Sequence, residues 1–170
     1  MRRWAVAFAL ALGMVGAATA ADDEFCARVL VGTEALSPLE ARGVTYSVKE
    51  VEDLYFLVGL LGEVSGSHIL ELRLLTPSGH HYQTLTAPVA TELGEGGRER
   101  RVPGYPRPLP VQLLAPASFP EGPAMTVQMS LPVAGTPIVS GSLFGGWTIE
   151  ATLDGRPMDC EIRNVFVLTP

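Results

Sequence analysis

Three histidines are the first residues whose chemistry could matter: His68, His80 and His81. A metal site needs two or three such side chains to converge on one ion. His80 and His81 are neighbours, and neighbours in a strand point to opposite faces. His68 could meet one of them across a hairpin, but no carboxylate cluster accompanies the pair. All three therefore read as solvated or hydrogen-bonded turn residues. A serine hydrolase requires nucleophile, base and orienting acid, and the G-x-S-x-G elbow that presents the nucleophile is missing. H-E-x-x-H is missing too, and Gly94-Glu95-Gly96-Gly97 runs into charge instead of opening a helix that could cradle phosphate. Glu50, Glu52 and Asp53 could serve as paired carboxylates, but they read as the charged end of a buried run. The sequence points to no catalytic residue, no cofactor and no metal.

A different cluster stands out. Arg98, Arg100, Arg101 and Arg107 are four of the ten basic residues after position 20, and Tyr105 lies among them. Arg and Tyr are enriched where binding energy concentrates. An exposed segment of this kind would contact an envelope protein or an anionic polysaccharide. The competing account is a charged loop that only keeps the domain soluble.

The first twenty residues read as an export leader. Arg2 and Arg3 precede Trp4 to Val15, which carries no charge, and Ala18-Thr19-Ala20 gives small residues for cleavage. The apolar run is too short for a membrane span. With residues 1–20 removed, ten basic residues face eighteen acidic ones, a side-chain charge of −8. That balance argues against nucleic acid, which needs a basic surface. The chain of 170 residues has two cysteines, Cys26 and Cys160. In an exported protein an isolated pair is expected to oxidise. Closing so long a loop would stabilise the fold by about 4 to 5 kcal/mol through lost chain entropy.

These residues must be held by strands. Residues 21–43 read as an N-terminal arm in which Phe25 to Val31 suits a strand or a short helix. A β-domain over 44–170 follows. Val44, Tyr46 and Val48 alternate with polar residues. Leu54 to Leu61 is a continuous apolar run, which suits a strand buried on both faces. Ile69 to Leu75 alternates, Thr76-Pro77-Ser78-Gly79 forms a turn, and His81 to Thr86 returns beside it. Residues 87–108 lose the pattern and read as a long loop, with an edge strand at Leu109 to Leu114. Met125 to Leu131 and Trp147 to Leu153 are the clearest strands, Asp154-Gly155 is a hairpin turn, and Ile162 to Leu168 closes the chain. Seven or eight short strands without helices imply an antiparallel β-sandwich, with a small closed barrel as the second architecture.

The segment Gly146-Trp147-Thr148-Ile149-Glu150-Ala151-Thr152-Leu153-Asp154-Gly155 resembles the "G-x-W-T-V-x-V … D-G" strand of bacterial secreted immunoglobulin-like domains. The hairpin from His68 to Gly79 is similar to the "H-x-L-x-L-x-x-x-x-P-S-G" hairpin of such domains. The resemblance implies an immunoglobulin-like sandwich and no particular functional residue, since the matching positions are structural. The resulting expectation is a periplasmic or secreted, non-catalytic binding or structural module of the bacterial envelope. The alternatives are a fimbria-like assembly subunit whose last strand lies at a sheet edge, and a small hydrolase without a recognisable motif.

Overall fold

Apolar residues at every second position bury one face of long strands such as those at 122–132 and 145–153, and two sheets packed on such faces form the core. The computed structural model describes residues 26–34, 45–94, 97–119, 122–158 and 164–170. The leader, most of the arm and Cys160 lie outside them. In chain order the elements are β1 (Cys26–Gly32), β2 (Thr45–Ser47), β3 (Asp53–Leu61), β4 (Ser67–Leu75), β5 (His81–Ala90), β6 (Glu99–Arg100), β7 (Leu109–Pro110), β8 (Gln112–Leu113), β9 (Ala115–Phe119), β10 (Gly122–Pro132), α1 (Pro137–Ser140), β11 (Gly145–Leu153), β12 (Arg156–Pro157) and β13 (Asn164–Thr169).

One sheet is antiparallel, in the order β1-β3-β10-β9. The other runs β2-β13-β11-β4-β5-β8 with β12 attached to β11, and it curls as a half-barrel. The second sheet departs from the expected all-antiparallel arrangement. β2 joins β13 in parallel, and β8 joins β5 in parallel. Both are short strands added at the sheet's two edges, where a two- or three-residue pairing does not need a crossover helix. The arm expected before residue 44 supplies β1, which pairs with β3 along its whole length. A single four-residue helix, α1, is the one exception to the all-strand expectation among the described residues. Thr136 caps it by accepting from the Ile138 amide, and Pro137 occupies its first turn.

Phe56, on β3, is the aromatic residue that the first sheet sends into the core. Its ring meets Phe166 edge-on at 5.8 Å, Phe166 stacks on Trp147 at 5.7 Å, and Tyr82 meets Trp147 edge-on at 5.2 Å. Trp147 is fully buried, and its indole N–H donates to the Leu143 carbonyl at 3.0 Å. Tyr82 reaches this column because the β4–β5 ladder shifts register beside it: Leu74 pairs with Gln83 and Leu75 with His81. A bulge of this kind re-aims a side chain. It follows the turn at 76–79, where the Gly79 amide donates to the Thr76 carbonyl and Gly79 takes a φ of 80°.

β3 is buried on both faces, as its apolar run implies. Leu54, Phe56, Val58 and Leu60 enter the main core, while Leu57 is buried with Phe119 and Ala124 in a second, outer cluster. Gly59 lies on that outer face, and the Phe119 ring covers it. A Cβ at position 59 would stand 2.7 Å from the Phe119 ring. Gly59→Ala is therefore expected to destabilise the protein by roughly 1–3 kcal/mol through overpacking. Phe119→Leu in the same chain should recover part of that loss, and a double-mutant cycle on denaturant midpoints measures the coupling.

Candidate functional site

The Arg/Tyr segment is a structured hairpin. Glu99 pairs with Pro110 and Arg100 with Leu109, so β6 and β7 form a small sheet of their own. The Val111 amide donates to the Arg98 carbonyl at 2.7 Å, and the Tyr105 amide donates to Val102 at 3.2 Å. Val102 is buried and anchors the segment. β7 packs beside β5, which itself continues to Ala90, into the stretch expected to be loop. Proline at 88 does not end β5, for a reason given by its neighbour. Ile69, opposite Pro88, directs its amide and its carbonyl to Asp154, on the side away from β5. Position 88 thus needs no N–H toward β4.

The structure separates the expected contact residues. Arg98, Arg101 and Arg107 are exposed on the hairpin. Arg100 turns inward, where its guanidinium donates to Ser67 Oγ at 2.9 Å. It lines a cleft of about 260 Å³ together with Ser67, Leu93, Glu99 and Val111. Tyr105 lines a second groove, of about 250 Å³, with Gln83, Thr84, Thr86, Gln112 and Ser130 and the buried Leu85 and Met129. None of the described residues that line this groove is charged. Its hydroxyls and amides come from β5, β8 and β10, which the sequence pattern gave no reason to bring together.

The histidines are not brought together. His68 lies opposite Val89, near the start of β4, and His81 lies opposite Leu75 at the other end of the same hairpin. His80 Nδ1 bonds Ser78 Oγ, and His81 Nε2 bonds Thr84 Oγ1. Among the described residues no three metal-ligating side chains gather, and no helix is long and apolar enough to cross a membrane. His68 Nδ1 lies 2.8 Å from Asp154 Oδ2, and its Nε2 lies 2.8 Å from the Ser65 carbonyl. A histidine–aspartate pair is two thirds of a hydrolytic triad. Here the second nitrogen meets a backbone carbonyl rather than a nucleophile, and the adjacent Ser67 hydroxyl is held by Arg100. The ring acts as a strut.

What the strut holds is the turn after β11. Asp154 and Gly155 both take positive φ, 50° and 77°, the conformation of a two-residue hairpin turn. The Asp154 amide donates to the Ile69 carbonyl, and its carboxylate accepts from the Ile69 amide, each at 2.8 Å. Partial burial pushes the Asp154 carboxyl up. The hydrogen bonds from His68 and Ile69 and the positive charges of His68 and Arg100 outweigh it, and the group sits below its ordinary range.

β13, which the assembly-subunit alternative would place at a sheet edge, lies between β11 and β2. The expected Cys26–Cys160 bond falls outside the description, because Cys160 is not among the described residues. No family model, no curated protein and no solved structure matches the chain.

The lowered Asp154 pKa has a definite sign. Its contribution is present above the ordinary carboxylate range and is lost as pH falls through and below about 4. The side chain is 46% exposed, which keeps the effect below about 1 kcal/mol. Asp154→Asn, which tolerates the same backbone conformation, should flatten the acid limb of a melting-temperature-against-pH profile. An unchanged acid limb would remove Asp154 from the account.

Proposed function

We propose that this protein is an exported, non-catalytic binding module of the bacterial cell envelope, with an envelope protein or an anionic polysaccharide as partner. The observation that carries the reading is the anchored β6–β7 hairpin. It keeps Arg98, Arg101 and Arg107 exposed and sets Tyr105 in a groove whose described lining residues are uncharged. Side chains of these types on a fixed backbone bind with less ordering cost than on a free loop. The leader-like residues 1–20 support export to the periplasm or beyond. The immunoglobulin-like relationship is part of the same proposal. It is supported by two packed sheets and by the buried Trp147 of the resembling segment, although the parallel edge pairs depart from that plan.

The proposal includes the Cys26–Cys160 disulfide, supported by strand register. Cys26 pairs with Leu61 at the end of β3, the end from which β4 sets out. Leu70 near that end pairs with Leu153, and Ile149 pairs with Asn164. The chain therefore enters β13 from the end at which Cys26 lies, and β1 packs over β13.

Two measurements test these statements. In the exported protein, alkylation should label no cysteine until a reductant is added; labelling of the untreated protein would remove the bond. Arg98→Ser/Arg101→Ser/Arg107→Ser and, separately, Tyr105→Ser should each reduce the partner recovered from native envelope at least tenfold with an unchanged melting temperature. Unchanged recovery in both would overturn the binding reading.

A further inference from the structure

The structure points to strand addition at the free edge of β5, with an extended, uncharged peptide segment as the ligand. This deepens the binding-module reading and rests on it. Backbone groups along a strand face alternate sides. Ile69 turns its amide and carbonyl to Asp154, away from its partner Pro88. By alternation, Thr86 opposite Glu71 and Thr84 opposite Arg73 also direct their amides and carbonyls away from β4. The next residue of the same parity, Ala90, confirms the direction: its carbonyl accepts from the Leu114 amide on the β8 side, at 2.8 Å. β8 pairs with Val89 and Ala90 alone. Among the described residues no strand pairs with Thr84 or Thr86 on that side.

Both ends of this edge are blunted. The bulge at Tyr82 interrupts it on one side, and Pro88, which has no N–H, closes it on the other. Between them remain two donor–acceptor rungs, on Thr84 and Thr86, spaced by about 6.8 Å, the repeat of a strand. They line the groove that Tyr105, Gln112 and Ser130 enclose. A repeat of that length is a peptide backbone's own, and a neutral saccharide has no matching register. The described lining residues are uncharged and suit uncharged side chains, and the Tyr105 ring offers an apolar face to one of them. Main-chain pairing would supply affinity, and the groove's side chains specificity.

The test uses the mature protein, an array of end-capped, uncharged heptapeptides, the same peptides N-methylated at alternate residues, and maltoheptaose. Wild-type protein should bind members of the array, lose at least tenfold in affinity on N-methylation, and show slowed amide exchange at Thr84 and Thr86 when bound. Thr86→Pro removes an N–H that the β4–β5 ladder does not use, so the fold should persist and binding should fall at least tenfold. Thr84→Pro is the second variant. The N-methylated peptides make the same measurement on unaltered protein should either variant misfold. No peptide binding, or binding insensitive to N-methylation, overturns strand addition. Maltoheptaose binding without peptide binding overturns it in favour of a saccharide site. Envelope association that depends on Tyr105 in a protein that binds no peptide would leave the module reading standing and strike out only the strand. Peptide binding beside envelope association indifferent to Tyr105 and the exposed arginines would do the reverse.

Discussion

A tryptophan placed wholly inside a β-core needs an acceptor for its indole N–H, because an unpaired buried donor costs about 1–3 kcal/mol. Trp147 finds that acceptor in the Leu143 carbonyl. Leu143 is held in turn, its amide donating to the Ile138 carbonyl, and Ile138 is buried in the same core. Helix α1 and the turn after it are thus a support for one hydrogen bond. The Trp147 ring connects Tyr82, on the mixed sheet, with Phe166 and through it with Phe56 on the antiparallel sheet. The packing of the two sheets depends on that column.

From this core the groove follows by geometry. The bulge that sends Tyr82 inward ends regular pairing at one end of β5, and Pro88 prevents its continuation at the other. The Asp154 clamp on Ile69 fixes which backbone groups of β4 face away from β5, and hence which groups of β5 face the groove. The β6–β7 hairpin then closes the third side, tied down by Val102 and by Arg100 on Ser67. Binding features and core features are linked through strand parity, without any long-range movement.

Much of this architecture is legible in the residues. The alternation from Met125 to Leu131 and from Trp147 to Leu153 marks β10 and β11, because a half-buried strand imposes period two. Asp154-Gly155 marks its turn, since both positions require positive φ. Local pattern is silent about partners, however. Nothing in Thr45 to Ser47 or in Gln112 to Leu113 indicates a parallel pairing, since that depends on which strand edges remain free after the sheet forms. The loop expected from residue 87 fails at its start because Pro88 suits a strand whose N–H faces outward. β9 is missing from the sequence pattern since Ala115, Pro116 and Ala117 carry little apolar signal. Of the candidate site, the Arg and Tyr residues were readable by type. Gln83, Thr84, Thr86, Gln112 and Ser130 were not, because neutral polar residues acquire meaning only when three strands converge.

The joining of β2 to β13 sets a schedule for folding. The Val48 amide bonds the Thr169 carbonyl, Thr169 Oγ1 bonds the Tyr46 carbonyl, and Ser47 Oγ bonds Pro170, contacts spanning 123 residues in the last two cases. β2 has no other strand partner among the described residues. A chain that emerges from its N-terminus first, whether from the ribosome or across a membrane, cannot form the β2–β13 pairing until residues 167–169 have emerged. Early β-hairpins such as β4–β5 close locally, whereas this edge can close only at the end. The last strand to arrive is thus the one that carries the β2 edge of the mixed sheet.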